Sequence, residues 1–529
     1  MNISRFLRRL SILAILLVLC GCASLPGAGG KRVELTVLHT NDHHGRFWKN
    51  NDGEHGLAAR KTLVDAIRAE VTADGGVVLL LDAGDINTGV PESDLLNAEP
   101  DIRGMNLMGY DAMAVGNHEF DNPLEVLRQQ EAWMEFPLLS ANVYDASGQR
   151  LFTPYHIFSL NGLRVAVFGL TTETTAVVGN PQHIGGLVFR PAVDEAGELV
   201  PQLRQKADVV IALTHLGHYP ESAAHETAAK GSIALARAVP DIDLIVDGHS
   251  HSLLTAPAME NGVPIVQAGD HGKYLGRIDL RYEKGTVSVM GSKLMPINRA
   301  EKVEKDGQIV TMPAQNPIPE DPAMLALLTP FQNQGAEALM TVIAHADGNF
   351  TGERTLTRSA ATELGVLLCR ALREKTDADV AVMNGGGIRA GLPAGDITYK
   401  DVLKVKPFGN TVCTVAMTGH ELTAYLRTVT AMEPGTGAFA HLDGVELVYC
   451  GEELTAVLID GATTDPSATY TLALESYLAG GGDGYPVLNT HPNFLDTRFV
   501  DADIVREYLT KHSPLRVADF TPSGTGRQE

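Results

Sequence analysis

Hydrophobic positions in the first 300 residues recur in short runs that stop abruptly at polar, histidine-bearing turns. Between several runs lie amphipathic stretches such as 58–71, where apolar residues return at helical spacing. Strands that alternate with helices are typical of layered α/β architecture with buried sheets. The runs predicted to be strands are Val33–Leu38, Val77–Leu81, Ala112–Val115, Val165–Leu170, Val209–Leu213 and Leu244–Val246.

A proline-punctuated break at 316–321 separates this segment from the rest of the chain. A helical pattern follows from about 322 to 342 and is interpreted as a connecting helix, with a hinge near 342–348. The sequence therefore predicts one α/β domain at 31–320 and a second at 345–525. Strands predicted in the second domain are Val380–Met383, Thr411–Met417 and Val445–Tyr449.

The first 22 residues have the pattern of an export signal. Arginines precede an uncharged apolar run at 10–19, which is too short to span a bilayer as a permanent helix. The run ends in Leu19-Cys20-Gly21-Cys22, which resembles the bacterial lipoprotein box, so Cys22 is predicted to carry the lipid. Ala23 follows, and a residue other than aspartate there suggests the outer membrane, facing the periplasm. An ordinary secretory signal is the alternative.

Composition narrows the classes of function. A chain of 529 residues suggests two or three domains, and 44% apolar with 20% charged residues describes a globular protein. The net charge of −22 argues against binding a nucleic-acid polymer through a broad basic surface. Positive charge for a small anionic substrate must therefore be local. Cys369 lies in an apolar helical stretch and is expected to be a buried structural thiol.

Five of the predicted strands end in residues that can bind metal ions, and functional groups collect beyond the carboxyl ends of such strands. Each motif alone is weak, because a lone histidine at a strand end is more often structural and Gly-Asp is commonly a turn. Together and in this order they indicate a metal centre. The motifs are Thr40-Asn41-Asp42-His43-His44-Gly45, Asp82-Ala83-Gly84-Asp85, Gly116-Asn117-His118-Glu119-Phe120-Asp121, Thr214-His215 and Gly248-His249-Ser250-His251.

This order of motifs resembles that of the calcineurin-like metallophosphoesterases. The stretches 85–94 and 116–123 are similar to the periplasmic 5'-nucleotidase and UDP-sugar hydrolase branch, and the resemblance spans nearly the whole mature chain. It implies an α/β fold in which a four-layer α/β/β/α domain is followed by a connecting helix and a smaller α/β substrate-binding domain. It also implies a large rotation of the second domain about that helix.

The resemblance implies a site for two divalent ions. Mixed oxygen and nitrogen ligands leave the metal open among zinc, manganese, cobalt, iron and magnesium. Near relatives carry glutamine where this chain has His251, whereas the wider superfamily uses histidine, so the site is expected to survive with an altered metal preference. His43 should point away along an extended segment. By resemblance, Asp42, His44 and His251 hold one ion, Asn117, His215 and His249 hold the other, and Asp85 bridges the two.

His118 has a separate role in the resemblance. It would stabilise charge on the phosphate or protonate the leaving oxygen, while Asp121 orients its ring. The alternative is a histidine that only positions Asn117.

The second segment carries cationic and aromatic features. Arg354 and Arg358 precede a helical run predicted at 359–373, where the helix dipole disfavours cations unless an anion also binds. Arg389 closes a glycine-rich turn that lets the backbone approach a ligand. Without the resemblance, the two aromatic residues below would be placed in the core. The resemblance assigns nucleotide binding to Arg354, Arg358, Arg389, Phe408, Asn410, Tyr477 and Asp483.

The expected function is hydrolysis of nucleoside 5'-phosphates, with UDP-sugars and other nucleotides as further substrates, by an exported lipoprotein. The partners are small nucleotides and, through the lipid anchor, a membrane. One alternative keeps the fold and acts on 2',3'-cyclic nucleotides or 3'-nucleotides. Another is a non-catalytic, nucleotide-binding surface lipoprotein.

Overall fold

The computed structural model describes residues 31–50, 53–178, 181–220, 230–305, 308–451, 453–522 and 526–528. The predicted signal segment and its lipid-bearing Cys22 lie outside the described residues. Within those ranges, no helix combines the length and apolar character needed to cross a membrane.

In the described residues, the first domain contains fourteen strands with helices between them. Its strands are β1 (Arg32–Thr40), β2 (Val77–Asp82), β3 (Ala112–Ala114), β4 (Leu138–Leu139), β5 (Val143–Tyr144), β6 (Tyr155–Leu160), β7 (Leu163–Thr171), β8 (Val188–Phe189), β9 (Val209–His215), β10 (Leu244–Val246), β11 (Ala258–Glu260), β12 (Val263–Val266), β13 (Tyr274–Glu283) and β14 (Thr286–Pro296). Its helices are α1 (Leu57–Ala73), α2 (Pro91–Asp94), α3 (Glu99–Met108), α4 (Leu124–Trp133), α5 (Thr175–Val178), α6 (Pro181–Ile184), α7 (Ala192–Arg204) and α8 (Ser232–Ala238).

Two six-stranded sheets, ordered β14-β13-β1-β2-β3-β4 and β11-β12-β10-β9-β7-β6, face each other. Successive residues of a strand point to opposite faces, and both faces of each sheet are buried. Val37 and Leu79 accordingly lie in the core between the sheets, whereas Leu38 and Leu80 lie in the core beneath the outer helices. A separate apolar cluster joins the second sheet to α7 and α8. The predicted α/β/β/α layering is therefore confirmed.

A hairpin of β15 (Glu301–Lys305) and β16 (Gln308–Met312) precedes the connecting helix α9 (Pro322–Ala338). Asp321 caps this helix by accepting the Met324 N–H at 2.8 Å. The helix belongs to the first domain, because Met324 and Leu328 are fully buried in that domain's helical core. The helix was expected to reach residue 342, but it ends at Ala338.

The second domain has two main sheets, ordered β21-β18-β25-β20-β26 and β24-β23-β22-β27. Its strands are β17 (Val342–Ala346), β18 (Val380–Asn384), β19 (Gly395–Thr398), β20 (Thr411–Thr418), β21 (Ala440–Asp443), β22 (Glu446–Cys450), β23 (Glu453–Ile459), β24 (Ala462–Thr463), β25 (Thr469–Glu475), β26 (Phe494–Val500) and β27 (Gly526–Gln528). Its helices are α10 (Arg354–Thr357), α11 (Glu363–Thr376), α12 (Tyr399–Val405), α13 (Gly419–Thr430), α14 (Ser476–Ala479) and α15 (Asp501–His512).

Two local predictions in this domain were wrong. The expected hinge at 342–348 is largely the strand β17, which pairs with β19, and the chain between α9 and that strand is only 339–341. The helix expected at 359–373 begins at Glu363, where the Thr362 hydroxyl caps the Gly365 N–H. Cys369 is buried as expected, and Cys369, Cys413 and Cys450 are all free thiols.

Candidate active site

The metal-binding motifs meet because the strands that precede them are parallel neighbours. β1 pairs in parallel with β2, and β2 with β3. β9 pairs in parallel with β10 in the facing sheet. The carboxyl ends of these five strands therefore open toward one another, as the strand-end argument requires.

Three groups of ligand atoms gather at this edge. Asp42, His44 and His251 form one group, and the Nε2 atom of His251 lies 3.2 Å from His44 Nε2 and 3.3 Å from Asp42 Oδ1. Asp85, His215 and His249 form a second group, in which His215 Nε2 lies 2.9 Å from Asp85 Oδ2. A third group consists of His44, Asp85 and His118, so it shares His44 with the first group and Asp85 with the second.

Two ligand histidines have their tautomer set by backbone carbonyls. His44 Nδ1 lies 2.7 Å from the Thr88 carbonyl, and His215 Nδ1 lies 2.7 Å from the Ala83 carbonyl. A carbonyl only accepts, so each Nδ1 carries the proton and each Nε2 lone pair faces the site. Such outer hydrogen bonds fix the ring orientation of metal-ligating histidines.

The ligand loops are held in an uncommon backbone conformation. Asp42, His44, Asp85, His249 and His251 all have positive φ, at 50°, 51°, 60°, 76° and 54°. Non-glycine residues adopt this left-handed region rarely, and it is found at functional sites more often than elsewhere. Aspartate and histidine adopt it more readily than most non-glycine residues, but their presence alone does not predict it.

The donor set fits divalent metal ions. Although burial works to raise it, the charges of His215 and His118 hold the pKa of Asp85 well below its ordinary value, so its carboxylate is ionised. The buried Asn117 Oδ1 atom has no hydrogen-bond partner among the described residues, which leaves its lone pairs available to a metal ion. Carboxylate, amide and imidazole donors together suit first-row divalent ions.

His118 and Asp121 form a pair beside this cluster. The Nδ1 atom of His118 lies 2.5 Å from Asp121 Oδ2, and the Thr88 hydroxyl donates to the same carboxylate. Burial works to lower the pKa of His118, but the carboxylates of Asp121 and Asp85 raise it to about 9. The ring is therefore an imidazolium at neutral pH, with its Nε2–H available as a donor.

His43 points away from the ligand cluster, as expected. Its Nε2 atom lies 2.9 Å from Asp101 Oδ1, and Arg60 approaches its Nδ1 at 3.3 Å. The expected reason was wrong, because the flanking Asp42 and His44 are left-handed rather than extended.

Sequence reasoning missed two residues at this site. Glu119 accepts the backbone N–H groups of Asp85, Ile86 and Gly116 at 3.0, 2.9 and 2.6 Å, so it ties two ligand loops together. Its place in the Gly-Asn-His-Glu motif was the available signal. Arg498 of the second domain has a φ of 63°, and burial, His215 and this guanidinium together hold the pKa of His249 well below its ordinary value. Nothing in the sequence singled Arg498 out.

The residues expected to bind the nucleotide lie on one face of the second domain. Tyr477 donates its hydroxyl to Asp483 Oδ1 at 2.9 Å, and the Arg389 guanidinium lies 5.5 Å from the centre of the Phe408 ring. Burial and repulsion from Arg354 and Arg389 lower the pKa of Arg358, so the three arginines form one cationic cluster. Phe408 and Tyr477 are 56% and 48% exposed, so neither residue belongs to the hydrophobic core.

Arg354 and Arg358 do not sit at the start of a long helix. Arg354 begins the one-turn helix α10, Arg358 follows that helix, and α11 begins five residues later. The dipole argument made from the sequence therefore does not hold for these two arginines.

The metal cluster lies on the first domain, and the nucleotide-binding face lies on the second. A pocket between the domains is lined instead by Thr88 and Asp121 on one side and by Phe499, Asp503 and Arg506 on the other.

Comparison with known proteins defines the class first. Residues 35–253 match the calcineurin-like phosphoesterase family, and residues 342–490 match the 5'-nucleotidase C-terminal domain. Members of this class are metal-dependent phosphoesterases that use two divalent ions.

Full-length relatives then narrow the class. The chain is 47% identical over 536 residues to the 5'-nucleotidase of Vibrio cholerae, covering 97% of each chain. It is 47% identical over 517 residues to Protein UshA of Escherichia coli, covering 93% of this chain and 94% of that protein. The structure of the Haemophilus influenzae NAD nucleotidase shares the fold, with a TM-score of 0.80 and 22% identity, over 94% of this chain and all of that one. This chain belongs to the 5'-nucleotidase family and is a metal-dependent phosphomonoester hydrolase.

Proposed function

We propose that this protein removes phosphate from nucleoside 5'-phosphates with two divalent ions, and that it also cleaves UDP-sugars and other nucleotides. The observation that carries the proposal is the meeting of six candidate ligand side chains from two sheets beside the His118–Asp121 pair. A non-catalytic protein has no need for a buried imidazolium next to a complete donor set.

The ligand roles follow the grouping of the side chains. Divalent ions in such a site supply a nucleophile at neutral pH and a clamp on phosphoryl oxygens. Asp85 would bridge the two ions, because it belongs both to the group with His215 and His249 and to the group that includes His44. The ligands proposed for one ion are Asp42, His44 and His251, and those for the other are Asn117, His215 and His249.

His118 is proposed to donate its Nε2–H to the phosphate or to the leaving oxygen. Asp121 holds the opposite ring nitrogen, and Thr88 fixes that carboxylate. A proton donor so placed stabilises the charge that develops as the ester bond breaks.

Recognition is proposed for the exposed face of the second domain. The three arginines bind phosphates, Phe408 and Tyr477 stack on the base, and Asp483 binds the ribose, with Asn410 beside them. This face and the metal cluster belong to different domains, and the proposal is that the second domain turns to bring a bound nucleotide to the metal cluster. The short 339–341 connection is where we place the pivot.

We further propose that the protein is exported and anchored to the outer membrane by a lipid on Cys22, facing the periplasm. The basis is the sequence pattern alone.

The test compares AMP, UDP-glucose and 2',3'-cyclic AMP on one metal-loaded preparation, with Asp85→Asn as the control for contaminating phosphatases. We expect AMP and UDP-glucose to be consumed and the cyclic ester to persist. Preferred turnover of the cyclic ester would establish the alternative phosphodiesterase. Binding of AMP without turnover of any substrate would establish the non-catalytic lipoprotein.

A further inference from the structure

The second domain buries a lysine and two carboxylates completely. The side chains of Lys406, Glu475 and Asp501 are 0% exposed. Lys406 Nζ is hydrogen-bonded to Glu475 Oε1 and lies 3.3 Å from Asp501 Oδ2. Buried charges cost several kcal/mol each in lost hydration, and an apolar cluster of equal volume is often as stable. These three residues, called the triad below, are therefore expected to have a role beyond stability.

The three residues come from three element ends. Lys406 follows α12, Glu475 ends β25 and Asp501 begins α15. These ends converge directly behind the exposed nucleotide-binding face.

Lys406 holds the glycine-rich turn. Its ammonium donates to the Gly387 carbonyl at 3.2 Å, and the neighbouring Val405 carbonyl accepts the Arg389 N–H at 3.0 Å. A Cβ on Gly387 would lie 3.2 Å from Lys406 Nζ and 2.8 Å from Asn384 Oδ1, so the turn sits tightly on the lysine. These contacts hold the backbone of Arg389, which ends the turn.

The two carboxylates hold the aromatic segments. Glu475 Oε2 accepts from Asn410 Nδ2 at 3.1 Å, and the Asp501 N–H donates to the Asn410 carbonyl at 2.9 Å. Asn410 lies two residues after Phe408, and Glu475 lies two residues before Tyr477. Both aromatic residues thus belong to segments attached to the triad.

The charge state is suited to this task. Burial works to lower the pKa of Lys406, but Glu475 and Asp501 raise it above the ordinary value. The side chain is therefore an ammonium, which donates to the Gly387 carbonyl and to Glu475 and forms an ion pair with Asp501.

We propose that Lys406, Glu475 and Asp501 are positioning residues that hold the arginine turn and both aromatic segments in one preformed nucleotide-binding arrangement. This rests on the proposed function. A preformed site spares the ordering of loops when ligand binds, so loss of the triad should weaken binding. The metal cluster lies on the other domain and a base-free ester makes no stacking contact, so its hydrolysis should depend on the triad only through the arginine turn.

The experiment uses the full chain with Lys406→Gln and Glu475→Gln. Each variant is measured for KM and kcat with AMP and with p-nitrophenyl phosphate, for the Kd of adenosine by calorimetry, and for thermal unfolding. We expect the KM for AMP and the Kd of adenosine to rise about 10-fold or more, and kcat/KM for p-nitrophenyl phosphate to fall by a clearly smaller factor.

Asp443→Asn is the matched control. Asp443 is a buried carboxylate of the same domain, paired with Arg370 at 3.1 Å and Arg373 at 2.6 Å. This variant should lower the melting temperature while leaving the KM for AMP and the Kd of adenosine unchanged. A rise in KM as large as in the Lys406 variant would show that general loosening explains the effect, and would overturn the positioning role.

The remaining outcomes separate the triad from the proposed function. Folded variants that keep the wild-type KM for AMP and Kd of adenosine would refute the positioning role of the triad and leave the proposed function standing. Should Lys406→Gln fail to fold, Glu475→Gln decides, since it keeps the side-chain shape. A wild-type protein that binds adenosine but does not hydrolyse AMP would refute the proposed function. The positioning role of the triad would then be tested by comparing the Kd of adenosine between the wild-type and variant proteins. A wild-type protein that neither binds adenosine nor hydrolyses AMP overturns both.

Discussion

Replacement of Tyr477 tests nucleotide recognition directly. Its ring is 48% exposed, and its hydroxyl donates to Asp483 Oδ1 at 2.9 Å while Asn384 Nδ2 donates to Asp483 Oδ2 at 2.7 Å. Tyr477 therefore offers two separable contributions to binding. The ring face is free to stack on a base, and the hydroxyl orients the carboxylate proposed to bind the ribose.

The expected magnitudes differ for the two substitutions. Tyr477→Ala loses a stacking contact of about 1–3 kcal/mol, which raises the KM for AMP about 5- to 150-fold. Tyr477→Phe keeps the ring and loses one hydrogen bond of about 0.5–1.5 kcal/mol, so the KM should rise only about 2- to 10-fold. A half-exposed ring contributes less to stability than a buried one, whose truncation costs about 3–5 kcal/mol.

The assay pairs AMP with p-nitrophenyl phosphate, which has no base, and adds thermal unfolding of each variant. We expect the base-free ester to be hydrolysed at the wild-type rate by both variants. Equal losses on both substrates together with a large fall in melting temperature would refute the stacking role. Equal effects of Ala and Phe would show that the hydroxyl, and not the ring, makes the contact.

Three further predictions concern the metal centre and the anchor. Chelation should abolish phosphate release from AMP, and added manganese, cobalt or zinc should restore it; full turnover by metal-free protein, verified by elemental analysis, would contradict the mechanism. His118→Ala should lower kcat about 100-fold or more with metal content unchanged, whereas a fall in metal content at constant kcat would assign His118 to positioning Asn117. Cys22→Ser should release an active, unacylated protein from the membrane fraction, and an unchanged mass and membrane association would show that the lipid is not on Cys22.

The sequence predicted the features that depend on residue pattern. Leu244–Val246 was assigned with its observed bounds, and the other five strands predicted in the first domain differ from the observed strands by at most two residues at each end. The short apolar runs marked these strands because both faces of each sheet are buried. The ends of the same strands carry the candidate ligand motifs. The ligand roles and the domain boundaries stay predictions.

Features that depend on long-range contact escaped prediction. The left-handed backbone of His249 is set by its surroundings, and the triad of Lys406 brings together residues up to 95 positions apart (501 minus 406). The end of α9 was misplaced because residues 339–341 carry no proline or glycine to mark it. Thr362 did supply a capping signal for α11, but the preceding Ser359 offered an equally good one.

The left-handed ligand loops also bear on how this protein tolerates mutation. Each such non-glycine conformation costs about 1 kcal/mol or more, and five of the seven proposed ligands share it. The surrounding sheets must offset that cost, and bound ions add stability through mass action. A substitution in the core between the sheets, for example at Val37, is therefore expected to be silent in a metal-rich medium and harmful in a metal-poor one. The supply of metal ions would then determine which core substitutions this protein tolerates during evolution.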